Sequence, residues 1–594
     1  MERSTAALDQ FLLGFLLLAL GCAKTGTPSS PVPAEVDRAL TAIRPQAIRA
    51  HMGFLADDLL EGRNTATRGY DLAAKYVAAG LEALGLEPAG SGGSYFQTVP
   101  LLRMTRIDAG CSLAVLRDGR RTELRAGDDY VLIPVFEEDS ALTAPVVFVG
   151  FGVTAPELGY DDYAGVDVRG KIVLTLAGAP PRFPHDQRAY YSDPRVRSRN
   201  ARDRGAVGAL GIWTPENEKT LGTWEFLRRE TAHPRLSWVD EEGRPQDRPP
   251  ELRGLGLLRW KGAQELFVGA PHSLEEVLAA AEKGRPLSFD LPVQVSLRSV
   301  SRHERTGSPN VAAVLRGSDP RLREEYVVLS AHLDHVGVGE PVAGDSTSDS
   351  TSDSISDSIS DSIGDSIYNG AYDNASGVAV LLEVARALTR LPVPPRRSVL
   401  FLFVTGEEKG LQGSDFFAHH PTISIDRIVA DINLDMLLML YPLRDVIAFG
   451  AEHSSLSAAV EQAARHLEIG VSQDPSPEQG LFIRSDQYSF IQQGVPAIFL
   501  VGGFQTGDPA LDGRALMDKW LQERYHQPGD DMSQAIDFAV GAQFARLNFL
   551  ISYLIAQDDK APGWNPGDFF GDKFRRRGVE AKVVAAGPRK GESR

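Results

Sequence analysis

"EYVVLSAHLDHVG", Glu325 to Gly337, is the stretch from which the fold can be read. It begins as a continuous apolar run, the pattern of a strand covered on both faces of a parallel sheet, and ends on His332 and Asp334. Three later stretches share that texture: "SVLFLFVTGEE" (398–408), "RIVADINLDM" (427–436) and "PAIFLVGG" (496–503). Around them, "SGVAVLLEVARALTR" (376–390) and "SSLSAAVEQAARHLE" (454–468) place apolar residues at helical spacing. The alternation predicts an α/β fold: a doubly wound, mostly parallel sheet flanked by helices.

Upstream, "AEVDRALTAIRPQAIRAHMGFLADDLLEGR" (34–63) and "GYDLAAKYVAAGLEALGLEP" (69–88) are also helical in spacing, the second stopped by Gly-Leu-Glu-Pro. From about Arg125 the texture changes to short β-rich runs such as "APVVFVGFGV", "GKIVLTLAG" and "AVGALGIW". The parallel-sheet texture begins near Val300, and periodicity fades after Asp559. A chain of 594 residues is long for a single core. The expected organisation is a signal peptide over 1–22, a linker over 23–40, the first part of the main domain over 41–125 and a β-rich insert over 126–290. The catalytic domain then covers 291–559, and a flexible tail 560–594.

A composition of 43% hydrophobic and 24% charged residues is that of a folded soluble protein. A net charge of −17 argues against nucleic acid as a partner, since neutralising phosphates needs clustered Lys and Arg. The N-terminus, "MERSTAALDQFLLGFLLLALGCAKTGTPSS", has an apolar run too short to span a bilayer but suited to a signal peptide. Its "LALGC" resembles a bacterial lipobox, which implies an exported protein, periplasmic or extracellular, with a lipid anchor through Cys22. Cys111, the second of two cysteines, then has no partner, and no intramolecular disulfide is expected. No periodic exposed seam points to a defined partner, and the oligomeric state is left open by the sequence.

The chemistry is concentrated where the apolar runs end. In an open α/β sheet, ligands bind beyond the carboxyl ends of the strands. His332, Glu407, Glu408 and Asp435 all stand there; Asp373 opens the helix beginning near Ser376, and His526 follows the last strand in "YHQPGDD". His332, Asp373, Glu408, Asp435 and His526 form a mixed imidazole and carboxylate set that suits zinc or another borderline divalent ion better than magnesium. Five ligands exceed a closed structural zinc site and fit two ions sharing one carboxylate. Asp334 then becomes the carboxylate that orients His332, and Glu407 the general base. "GVDVRGK" (165–171) has the spacing of a phosphate loop, but no Ser or Thr follows it and it runs into a strand.

Taken together, "SAHLDHVG", "GAYDNASGVAVLLEVAR", "GEEKGLQGS", "NLDM", "SDQYSF" and "YHQPGDD" resemble the co-catalytic zinc aminopeptidases related to aminopeptidase Y and the bacterial leucyl aminopeptidases. "FVGFGVTAPELGYDDYAGVDVRGKIVLTLAG" resembles the protease-associated domain inserted in many of them. The resemblance implies two Zn2+ per chain: His332 and Asp435 on one, Glu408 and His526 on the other, Asp373 bridging. It also implies a cis peptide after Asp373, and peptides with a free N-terminus as substrates. The chain departs from the family pattern at Gln487, where relatives read "SDH", and has no Tyr at Phe482 or Ile483. Two alternatives share the scaffold: a zinc acyltransferase of the glutaminyl cyclase type, and a receptor-like binding protein without catalysis. Retention of Glu407 and the five ligands favours the hydrolase.

From Asp345 to Tyr368 the sequence stutters as DSTS, DSTS, DSIS, DSIS, DSIG, DSIY. With only the last copy kept, the text becomes "HVGVGEPVAGDSIYNGAYDNASG", which resembles the uninterrupted loop of the family. The repeat is therefore read as an expansion of one native unit between the first metal ligand and the bridging aspartate. Closure entropy grows slowly with loop length, so the insertion is tolerable.

Overall fold

The computed structural model describes residues 32–575 apart from 221, 286 and 343–364. The signal peptide with Cys22, most of the linker, the repeat units before Asp365 and the last part of the tail lie outside the described residues.

Strand Tyr326–His332 is buried at every position, as is Ser398–Val404, and the two run parallel with His332 opposite Val404. On the other side of Tyr326–His332 lie Ile428–Asn433 and then Ala497–Gly502, also parallel. This is the doubly wound centre expected from the apolar runs. Both flanks are antiparallel. Asp445–Phe449 pairs against Ala497–Gly502 on one side, and on the other Ser288–Leu315 pairs against Ser398–Val404, followed by Phe96–Arg106 and Arg235–Trp238.

Helix Gly377–Leu388 is apolar nearly all round, and almost every residue is buried. It lies between the sheet and the outer helices Pro45–Leu55 and Phe538–Gln557. The latter is long and apolar enough to cross a membrane, but 72% of its apolar window is buried within the protein, as in a core helix. Helix Arg68–Ala83 starts at Thr67, whose hydroxyl accepts from Tyr70 N, and buries Tyr70, Ala73, Ala74, Val77 and Leu81 at helical spacing. It ends as its sequence predicts: Gly85 has φ +74°, and Leu86 N returns to Leu81 O (3.2 Å). The run over 34–63 is broken into Ala34–Thr41, Pro45–Leu55 and a 3-10 segment, Asp58–Arg63.

Ser288–Leu315 belongs to two sheets. Its second half pairs with Phe96–Arg106, and its first half with Ser112–Arg117 and Asp139–Val149 in a sheet continued by Ile172–Leu176, Gly208–Trp213, Leu255–Arg259 and Tyr130–Ile133. Ser112–Arg117 and its partner Arg120–Glu123 thus join the second sheet, although they precede the change of texture near Arg125. The second strand of that pair is fully exposed, so it lacks the apolar alternation that would reveal it.

The tail departs from expectation over 560–575, which dock instead of extending. Phe570 is fully buried, Trp564 Nε1 donates to Gly494 O (3.0 Å), and Asp568 pairs with His453 (2.6 Å). The aromatic residues of "GWNPGDFFGDKF" provide the apolar area that a reading by periodicity overlooks. Phe570 packs with Leu411, Phe449, Phe482 and Tyr488 in the same core as the second sheet, so that core draws on both parts of the chain.

The last repeat unit is structural. Asp365–Tyr368 pairs antiparallel with Gly337–Val342, Gly337 facing Tyr368, so the residues between them are an insertion within a hairpin.

Candidate metal centre

Because the central strands are parallel and nearly in register, the residues after their carboxyl ends emerge together. His332 Nε2 lies 3.0 Å from Asp435 Oδ1 and 3.3 Å from Asp373 Oδ1. His526 Nε2 lies 3.3 Å from Asp373 Oδ2 and 3.1 Å from Glu408 Oε2. The two oxygens of Asp373 therefore face different imidazoles. Donor pairs around a tetrahedral zinc with bonds of about 2.0–2.1 Å are separated by roughly 3.3 Å. All four distances fit such edges, so the donors suit a pair of zinc ions, with His332, Asp373 and Asp435 around one and Asp373, Glu408 and His526 around the other, the imidazole of His335 lying close to this second set.

The surrounding contacts explain the placement. The turn bearing Asp373 is held by buried Asp530, whose carboxylate accepts from Tyr372 N (2.9 Å) and Asp373 N (3.0 Å). Asn374 joins this turn to the loop bearing Asp435: its Nδ2 donates to Leu434 O (2.9 Å), and its Oδ1 accepts from Gly377 N (2.9 Å) and Met436 N (3.3 Å). The Asp373–Asn374 peptide is cis. Ser485 Oγ donates to Asp435 Oδ2 (2.7 Å), leaving Oδ1 toward His332.

Asp334 orients His332 differently from expectation. His332 Nδ1 meets the backbone carbonyl of Asp334 (3.0 Å), not its carboxylate. The carboxylate turns to the adjacent loops, accepting from Thr65 Oγ1 (2.9 Å) and from Glu407 N (3.2 Å). It thus fixes the backbone of Glu407.

Electrostatics follow from burial of so many acids. Burial opposes protonation of His332 and His526, but Asp435 and Glu408 respectively, with Asp373, lift both imidazoles well above their ordinary range. Burial and Glu408 push Asp373 up, and His335, His332 and His526 outweigh them and hold it at about 2. Burial raises Glu407 well above the carboxylate range; His332 opposes this, and Glu408 and Asp486 add to it. Without metal, protons on the imidazoles supply the positive charge that the carboxylates demand.

Gln487 is fully buried and faces away from the cluster. Its Oε1 accepts from Asn433 Nδ2 (2.9 Å), and its Nε2 donates to Phe482 O (2.8 Å), so it braces the loop carrying Ser485. Phe482 stacks on His453, with ring centres 4.7 Å apart.

Two buried residues escaped the reading of the sequence. Arg63 is 1% exposed and donates to the carbonyls of Leu333 (3.1 Å), Asn369 (2.6 Å), Gly370 (3.0 Å) and Leu55. It ties the loop after His332 to the loop before Asp373; no local motif announces it. His335, fully buried, places Nδ1 2.7 Å from Glu408 Oε1; its signal lay inside "HLDHVG". A cavity opens onto the cluster, lined by Glu230 and His233 at the end of helix Trp224–Ala232, by Gly339 and Tyr368 of the hairpin, and by Glu408 and His526.

Residues 310–550 match Peptidase family M28. The chain is 28% identical over 292 residues to a probable leucine aminopeptidase 2 of Aspergillus oryzae, covering 46% of this chain and 49% of the relative. It is 26% identical over 275 residues to aminopeptidase Y of Saccharomyces cerevisiae, covering 45% and 41% respectively. The chain thus spans about half the length of the curated relatives it matches, or less. Among solved structures, an aminopeptidase from Aneurinibacillus sp. strain AM-1 aligns with 89% of this chain and 97% of its own at 17% identity and a TM-score of 0.48. A zinc aminopeptidase from Bacillus subtilis aligns with 87% and 97% at 17% identity and a TM-score of 0.41. Residues 310–550, the stretch that matches Peptidase family M28, contain His332, Asp334, Asp373, Glu407, Glu408, Asp435 and His526.

Proposed function

We propose that the protein is an exported zinc-dependent aminopeptidase that releases N-terminal residues from peptides. The observation that carries this reading is the division of Asp373, one oxygen toward His332 and the other toward His526. One carboxylate serving two donor sets is the arrangement for a metal pair roughly 3.5–4 Å apart. The relatives named as leucine aminopeptidase and aminopeptidase Y support the substrate class.

Zinc, when bound, would polarise the scissile carbonyl and acidify water. The chain's own residues supply the rest. Asp435 and Glu408 complete the two donor sets about Asp373. Asp334 holds the Glu407 amide, and the Glu407 carboxylate takes a proton from the attacking water and returns it to the departing amine. Burial favours the protonated form of that carboxylate, which makes it a competent donor in the second half of the reaction. Peptides enter through the cavity between the hairpin and helix Trp224–Ala232. We infer that the insert is a protease-associated domain, on its sequence texture, and that the chain carries a lipid on Cys22.

The test is hydrolysis of a panel of aminoacyl-4-nitroanilides by the full-length protein, as isolated, after chelation, after zinc restoration and with Glu407→Gln. Loss on chelation, return with zinc and near-abolition by the substitution are expected. No turnover of any member by protein holding two metals per chain would overturn the reading.

A further inference from the structure

His335 belongs to neither the five ligands nor the general base, yet it faces the cluster. Its Nδ1 lies 2.7 Å from Glu408 Oε1 and 3.8 Å from Asp373 Oδ2. Two roles are open to such an imidazole: a fourth protein ligand beside Asp373, Glu408 and His526, or a donor that orients Glu408.

The distances separate them. Ligand atoms sharing a tetrahedral zinc stand roughly 3.3 Å apart. His526 meets that value against both Asp373 and Glu408, at 3.3 and 3.1 Å. His335 is too close to one carboxylate and too far from the other, while 2.7 Å is the length of a charge-assisted N–H···O bond. The two oxygens of Glu408 are also divided: Oε2 faces His526, and Oε1 faces His335.

The other ring nitrogen gives independent evidence. A metal-bound histidine almost always donates its remaining N–H to a carboxylate or carbonyl, as His332 does to Asp334 O. His335 Nε2 is buried and has no hydrogen-bond partner among the described residues. A ligand bound through Nδ1 would leave an N–H stranded there. With the proton on Nδ1 instead, Nε2 presents only a lone pair, and the donor is used on Glu408.

The ring is also fixed in place. Gly370 has φ +60°, and a Cβ there would stand 2.6 Å from two ring carbons of His335. The ring thus occupies the space that a side chain at 370 would need.

We propose that His335 is a positioning residue: its Nδ1–H holds Oε1 of Glu408 so that Oε2 is presented to the metal shared with Asp373 and His526. This rests on the two-metal reading above. A lost partner of this kind typically weakens metal binding 10–100-fold.

The test is titration of metal-free, full-length protein with zinc against a chromophoric chelator, and with cobalt(II) followed by its visible absorption. His335→Phe fills the space without a donor, and His335→Asn, whose Nδ2 stands where the ring Nδ1 does, restores one. His335→Leu is the second donor-less variant should His335→Phe fail to melt cooperatively. Two metals per chain in wild type are expected. A 10–100-fold weakening of one of them in the donor-less variant is also expected, with recovery in His335→Asn and an unchanged cobalt band shape. Equal affinities in wild type and donor-less variant would overturn the proposal alone. So would an altered cobalt spectrum with no recovery in His335→Asn, which would make His335 a ligand. Fewer than two metals in wild type would overturn the two-metal reading together with this one.

Discussion

Replacing Arg63 by Met tests whether one buried guanidinium sets the geometry of a candidate metal centre it does not touch. Its four donations reach Leu333, Leu55, Asn369 and Gly370. At about 1.5–3 kcal/mol for each hydrogen bond from a charged group, the set contributes ~6–12 kcal/mol gross. Burial opposes this: it draws the guanidinium pKa from 12.5 to about 10, an opposing ~3.4 kcal/mol. The difference, ~3–9 kcal/mol, is the expected loss in Arg63→Met. Both residues face the same backbone at φ +49°, so that conformation cancels from the comparison. Arg63→Lys should recover less than half, because three protons on one nitrogen cannot span carbonyls from three separate segments. The assay is amide hydrogen exchange in strand Tyr326–His332, whose slowest amides report the opening energy of this part of the chain without assuming that the whole chain unfolds at once. Zinc affinity is read beside it, since the guanidinium joins the loops that carry His332 and Asp373. An opening energy reduced by less than about 1 kcal/mol, with zinc affinity unaltered, would show that the clamp is dispensable and refute the reasoning.

Glu407→Gln should retain two metals while kcat falls about 10²–10⁴-fold; activity within tenfold of wild type would exclude Glu407 as the base. Asp486 is fully buried, and burial, the largest effect on it, lifts its carboxyl to about 7. The unfolded chain releases that proton near the ordinary Asp value of about 3.9, so between roughly pH 4 and 7 the native state holds the extra proton and stability falls as pH rises, by up to ~4 kcal/mol. Metal-free Asp486→Asn should therefore lose less stability between pH 5 and 8 than wild type in thermal melts; parallel pH dependences would refute this. His332 and His526, held well above the ordinary histidine range, carry protons at pH 7 in the metal-free protein, and zinc must displace them. Calorimetry in buffers of different ionisation enthalpy should record proton release on zinc binding, and heats independent of buffer would contradict the assignment.

What could be read from the sequence follows from how each element is buried. Strands covered on both faces, such as Ser398–Val404, are apolar at every position and show as uninterrupted runs, and the polar residues just beyond them had to meet at one edge of the sheet. The flanking strand Ser288–Leu315 is divided between two sheets and alternates buried with more exposed positions from Leu291 to Arg302, so only its end, Asn310–Val314, shows such a run. The side chains that act through one partner far away in sequence are harder still. Arg63 meets Leu333, Asn369 and Gly370 across 270 to 307 intervening positions, and nothing beside it in the chain distinguishes it from a surface arginine. Asp334 stands beside His332 with its carbonyl, not its carboxylate, on the imidazole, because spacing brings a residue to a site without saying which of its groups faces the neighbour.

The repeat illustrates the same division between what holds the site and what merely joins it. Gly337 faces Tyr368 and Val338 faces Ile367, so the hairpin is closed by residues on either side of the expansion. Immediately after Tyr368, Asn369 and Gly370 are bound through their carbonyls by Arg63, and Asn369 Nδ2 donates to Ala56 O (2.9 Å) and to Asp58 Oδ1 (2.7 Å). The position of Asp373 is therefore set from the return strand onward, by Arg63 before it and Asp530 beneath it. Each doubling of loop length adds only about 0.6 kcal/mol of closure entropy, small beside the ~3–9 kcal/mol assigned to Arg63 alone. Added copies of a polar unit at that point lengthen the connection between His332 and Asp373 while leaving the anchors on both sides, and hence the distance between these two side chains, in place.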